Sequence, residues 1–201
     1  MPMRYLVRIE NHRGYKPRDV QDLQEKIRGV LGFPEKIGNL RVSTSAIEFD
    51  LFSDEAELDH SKRILEKEIA RVITLRRIEN RAPTRNENET LREGIELFNE
   101  ERFWEAHEVL EEIWHPAKGN DRDIIQGIIL TAAAFVHFQK DETNVCISIL
   151  GRAVEKLGPA DNFRGLNIKQ LKSEVVKIIE EKAPRLLRIF WVRTKPTLQA
   201  P

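Results

Sequence analysis

The first eighty residues alternate between two hydrophobic periods. Tyr5, Val7 and Ile9 recur at period two against Arg4 and Arg8, the pattern of a half-buried strand. Pro17 then opens a helical stretch in which Val20, Leu23, Ile27 and Leu31 recur every three or four residues, and Gly32 and Pro34 close it. Strand patterns return at Leu40 to Ser43 and Ala46 to Phe52; in the second, Ile47, Phe49 and Leu51 alternate with Glu48 and Asp50, which predicts one dry and one wet face. Ser53 is placed to cap a second helix with apolar positions at Ala56, Ile64, Leu65 and Ile69, and Val72 to Ile78 reads as a last strand. The order β-α-β-β-α-β is that of a ferredoxin-like unit over residues 1–82, a four-stranded antiparallel sheet with both helices on one face.

The polar stretch Arg81 to Asn88 reads as a connection, with the linker placed at residues 83–90. The pattern beyond it is helical, over Glu89 to Asn99, Arg102 to Trp114, Asp121 to Lys140, Asn144 to Leu157 and Ile168 to Glu181, with no strand expected before residue 180. The expected fold class is therefore α+β: the ferredoxin-like unit followed by an all-α bundle over residues 91–183 and a basic, aromatic tail over 184–201. Gly94 and Gly127 lie 33 residues apart, and Phe103, Ala106 and Leu110 alternate large, small and large, which suggests tetratricopeptide-like hairpins.

Composition narrows the class. The 201 residues balance 33 Lys and Arg against 33 Asp and Glu, so no global field steers the chain to nucleic acid or anionic lipid. Charge is nevertheless segregated: residues 86–142 hold 5 basic and 14 acidic side chains, and residues 143–201 hold 11 and 5. The lone Cys146 excludes an intrachain disulfide and fits a reducing compartment; with no signal-peptide pattern and no apolar run able to span a bilayer, the expected location is cytoplasmic.

Candidate chemistry concentrates on Arg102 to His115. At 100° per residue, Phe103, Ala106, Leu110 and Ile113 form a core face, and nearly opposite lie Trp104, His107, Glu108, Glu111 and His115, with Trp114 at the margin. Indoles, imidazoles and carboxylates on one stripe predict a face covered by a neighbouring element rather than a solvated one. An antiparallel following helix would bring His137 level with His107 and Gln126 toward Glu111 or His115. Three readings follow. One is an internal hydrogen-bond network in a non-enzymatic module that binds a protein partner. The second is a divalent-metal site of His107, Glu111 and His137. The third is a catalytic pocket using Glu108 or Glu111 as base beside His107, in a hydrolase-like enzyme acting on a small substrate.

The run Glu96 to Trp114, then Gln126-Gly-Ile-Ile and Ala132 to His137, resembles the domain of unknown function family 309, of archaea, bacteria and plastids. The resemblance rests on Phe98, Asn99, Ala106, His107, Glu108, Glu111, Trp114, Gln126, Gly127 and His137, and covers roughly residues 91–157. It implies an all-helical domain, a signature polar cluster (Asn99, Trp104, His107, Glu108, Glu111, Trp114, Gln126, His137) and no established activity. Elsewhere, Arg4, Arg8, Arg41, Arg76 and Arg77 on the candidate sheet could form a phosphate-binding surface, although a solvated sheet face is the simpler expectation. Tail residues Arg185, Arg188 and Arg193, with Phe190 and Trp191, fit a nucleic-acid or partner arm, or a strap packed on the bundle.

Overall fold

A computed structural model describes residues 3–32, 37–78 and 86–192. Pro34, most of the stretch Arg81 to Asn88 and the tail beyond Val192, Arg193 included, lie outside the described residues. The chain divides into two compact units, one of Met1–Thr84 with Phe135–Thr143 and one of Arg85–Ala134 with Asn144–Pro201. Among the described residues no helix is long and apolar enough to cross a membrane.

The first unit has the ferredoxin-like order: β1 (Met3–Glu10), α1 (Val20–Leu31), β2 (Ile37–Val42), β3 (Ala46–Ser53), α2 (Glu55–Glu68) and β4 (Val72–Arg77). The sheet runs β2-β3-β1-β4, antiparallel throughout. Its core joins Tyr5, Val7, Ile9, Ile47, Phe49 and Leu51 to Leu23, Ile27 and Leu31 of α1 and to Leu65 of α2. Pro17 starts a single 3-10 turn ahead of α1, and Gly32, at φ 71°, ends the helix in the left-handed conformation that favours glycine. Asp54, not Ser53, holds the N-cap position of α2, because Ser53 is still paired in β3 opposite Met3.

The face expected to be wet is dry. Glu48 and Asp50 are 2% and 0% exposed. Their partners come from neighbouring strands: the register sets Glu48 opposite both Arg8 of β1 and Arg41 of β2. Its two carboxylate oxygens lie 3.4 Å from Arg8 Nε and 3.6 Å from Arg41 Nε. One Asp50 oxygen accepts from Arg4 Nη2 at 2.8 Å and from Asn39 Nδ2 at 2.7 Å. Arg8 and Arg41 thus belong to a closed charge lattice rather than a solvated or phosphate-binding surface; buried charges persist only when matched in this way. Residues 135–143 pack on the same unit. The Val42 N–H donates to Gln139 O at 3.0 Å, and Lys140 Nζ donates to Asn39 Oδ1 at 3.2 Å. Burial, then repulsion from Arg41, pulls the Lys140 ammonium below its ordinary pKa.

The second unit contains α3 (Glu87–Asn99), α4 (Phe103–Trp114), most of α5 (Gly119–Phe138), α6 (Thr143–Leu157) and α7 (Ile168–Glu181). The α3–α4 turn places Glu101 at φ 62°, while Arg102 grips the buried Glu105 through two 2.8 Å hydrogen bonds. A Cβ at Gly94 would meet Leu110 at 2.6 Å and one at Gly127 would meet Leu157 at 2.7 Å, so both glycines mark close helix approaches. Gly94 meets Leu110 inside α4, whereas Gly127 meets Leu157, the last residue of α6, so the two glycine contacts do not repeat at one position. Contrary to the expectation of no strand before residue 180, β5 (Asn162–Phe163) and β6 (Leu166–Asn167) form a small hairpin. Its two turn residues, Arg164 and Gly165, both have positive φ, as a two-residue hairpin turn requires. The tail to Val192 is an extended strap on this hairpin: Leu166 bridges Trp191, and the Val192 N–H donates to Gly165 O. Leu187 and Ile189 point inward, whereas Phe190, expected to pack, is 47% exposed.

Candidate functional site

Helix α4 exists because its apolar positions fall on one stripe: Phe103, Ala106, Leu110 and Ile113 are buried, and Phe103 meets Phe98 edge-on with ring centroids 4.9 Å apart. Helical periodicity then fixes where the polar residues go. The opposite stripe is not sealed from water as expected. His107 retains 27% of its side-chain exposure, Glu111 38% and Glu108 50%, while His115 is exposed and Trp104 and Trp114 are half-buried.

Three of these side chains converge. His107 Nδ1 lies 3.7 Å from Glu108 Oε1, and His107 Nε2 lies 3.8 Å from Glu111 Oε1 one turn on. A ligand atom from each of the three fits within 4.8 Å of the others. The distances are too long for hydrogen bonds. Nδ1 is closed off from solvent and has no hydrogen-bond partner among the described residues. A neutral imidazole offers one nitrogen lone pair and two carboxylates offer oxygens, a donor set suited to a divalent cation of borderline softness.

The remaining signature residues do other work. His137 belongs to the first unit, where its Nδ1 is held by Glu142 across the turn that ends α5. Asn99 faces the strap, donating from Nδ2 to Ile189 O and accepting at Oδ1 from the Ile189 N–H, both at 2.9 Å. Gln126 is half-buried on α5. Trp114 supports Arg122, whose guanidinium lies 4.0 Å from the indole ring centre and donates from Nη1 to Trp114 O, His115 O and Ala117 O. That cation satisfies carbonyls left open at the end of α4, and attracts the negative end of its dipole. Periodicity does not point to Arg122, yet a helix ending without a basic residue in its last turn leaves room for such a cap.

Residues 91–148 match the family model described as Domain of unknown function (DUF309). The matched segment runs from α3 through α4 and α5 into the start of α6, and contains the whole His107, Glu108, Glu111 group. The chain is also 26% identical over 149 residues to an uncharacterized protein of Aquifex aeolicus (strain VF5). That match spans 73% of this chain and 40% of the relative. No solved structure matches significantly.

Proposed function

We propose that the DUF309 segment binds a divalent cation through His107, Glu108 and Glu111. The observation that carries this reading is the convergence of one imidazole and two carboxylates on one half-open helix face, within 4.8 Å. Three protein ligands leave coordination positions for water, as in catalytic rather than closed structural sites. Bound there, a Lewis acid such as zinc would lower the pKa of that water and make hydrolytic chemistry available on the solvent side of α4. Elemental analysis of protein purified without chelator tests the reading. Near-stoichiometric zinc, manganese or iron that disappears in His107→Ala supports it; metal-free protein that takes up none of these on dialysis contradicts it.

A second reading, a module that docks a protein partner, is favoured by a different feature. Leu186, Phe190 and Val192 lie on the outward side of the strap and are 44%, 47% and 42% exposed. Replacement of Phe190 with Ser should then abolish capture of a partner while leaving the metal content unchanged.

A further inference from the structure

Arg122 has no carboxylate partner among the described residues, although residues 86–142 hold 14 acidic side chains against 5 basic ones. The two acids beside it in sequence are engaged elsewhere: Asp121 pairs with Arg164 at 3.1 Å and Asp123 with Lys156 at 2.7 Å. Its guanidinium is nonetheless fixed, stacked 4.0 Å from the Trp114 ring centre and bonded to three carbonyls. All three of those bonds leave from Nη1, so Nε and Nη2 stay open to solvent with no partner among the described residues. These two nitrogens form the side-on fork of a guanidinium, spaced for two oxygens of a carboxylate or phosphate. Arg102 of this chain uses the same pair of atoms on Glu105, in two bonds of 2.8 Å.

Trp114 follows His107 by seven residues and Glu111 by three, spacings that return to one side of a helix. Arg122 therefore sits at the end of the same side of α4 that carries the cation group. The separation along the helix is roughly 5–10 Å, one to two turns, which a small organic molecule can span. We propose that the Nε–Nη2 fork of Arg122, stacked on Trp114, is an oxyanion site that anchors the phosphate of a small organic phosphate. A phosphate dianion suits this place better than a carboxylate does. Arg122 lies near the start of α5, where the helix dipole is positive, and the exposed Lys118 four residues earlier is a second cation with no ion pair among the described residues. As the anchor for a substrate whose reacting bond meets the metal, the fork depends on the cation site proposed above; as an anion site it depends on Arg122 and Trp114 alone.

Titration of the metal-free full chain with phenyl phosphate, followed by NMR of the indole N–H groups, tests this. The Trp114 signal is identified by its loss in Trp114→Phe. The expected result is a saturable shift of that signal with a Kd on the order of 1 mM. Benzoate, which offers a carboxylate on the same ring, should bind about fivefold more weakly or worse. Arg122→Lys keeps the charge but loses the fork, and should weaken phenyl phosphate binding at least tenfold while circular dichroism shows the helices intact. A shift that does not saturate, an affinity unchanged in Arg122→Lys, or benzoate bound as tightly as phenyl phosphate overturns the proposal. Addition of Mn²⁺ separates the two sites. A chain that takes up Mn²⁺ but not phenyl phosphate overturns the anion site and leaves the cation site standing; a chain that binds phenyl phosphate through Arg122 but takes up no Mn²⁺ supports the anion site and overturns the cation site.

Discussion

Asn99 holds Ile189 by both of its backbone groups, giving a hydrogen bond to the carbonyl and accepting one from the N–H, each 2.9 Å long. One signature side chain at the end of α3 thereby does the job of a neighbouring strand, and it pins a segment ninety residues away that lies outside the matched DUF309 region. The side-chain amide suits this because it carries a donor and an acceptor in one plane, as a peptide does.

Replacing Asn99 with Ala should cost about 1–3 kcal/mol, since two half-buried backbone groups lose their partners. Asp at the same position keeps the acceptor but not the donor and should fall between. Limited proteolysis after Arg188 reads the release of the strap, and urea unfolding reads the cost; equal protease resistance in Asn99→Ala would show that the strap is held by Leu187 and Ile189 alone.

The glycines separate into two classes. Gly94→Ala and Gly127→Ala should each destabilise by about 1–3 kcal/mol through overpacking. Gly127 should be the worse of the two, because its added Cβ meets the Leu157 backbone nitrogen at 3.0 Å as well as the side chain, whereas at Gly94 only Leu110 side-chain atoms are in the way. Gly29 in α1 and Gly151 in α6 have nothing within 4 Å of an added Cβ. Alanine at either should stabilise by about 0.4–1 kcal/mol by restricting the unfolded chain. Thermal unfolding of the four variants gives the ranking.

Glu48 should tolerate no neutral replacement. Glu48→Gln leaves Arg41, 2% exposed, and Arg8 facing each other without the carboxylate between them. A loss of about 3 kcal/mol is expected, the size typical of removing one partner from a buried ion pair. Denaturant titration measures it, and a loss below about 1 kcal/mol would show the lattice to be hydrated.

Burial pushes the Cys146 thiol from an ordinary value of 9.0 up to about 12. The folded state therefore holds the proton more tightly than the unfolded state. Its contribution to stability is complete below pH 9.0 and falls as pH rises from there toward about 12. Stability measured against pH should fall more steeply in this window for the natural chain than for Cys146→Ala. Alkylation of the thiol at pH 8 should follow unfolding rather than precede it.

Much of this architecture is readable from periodicity. Val20, Leu23, Ile27 and Leu31 define α1, and Phe103, Ala106, Leu110 and Ile113 define the buried side of α4, because local spacing alone decides which side chains share a face. What escapes is whatever a distant segment supplies. Glu48 and Asp50 read as a wet face because Arg8, Arg41 and Asn39, which make them buriable, approach only through the sheet register. The hairpin at Arg164 and Gly165 escapes because strands of two residues are too short to show alternation. For His107, Glu108 and Glu111 the helical wheel locates the stripe correctly, but no spacing reveals how much of it water reaches. The family signature mixes purposes for the same reason: Phe98, Asn99, Ala106 and Gly127 serve packing and the strap, while His107, Glu108 and Glu111 stand half in solvent.

Calorimetric titration of the metal-stripped chain with Zn²⁺ and Mn²⁺, repeated on Glu111→Gln and His107→Ala, bears most directly on the cation site. One-to-one binding in the natural chain, weakened at least tenfold by either substitution while both variants stay folded, is the expected result. Heats no larger than dilution, or binding unchanged by both substitutions, would contradict it.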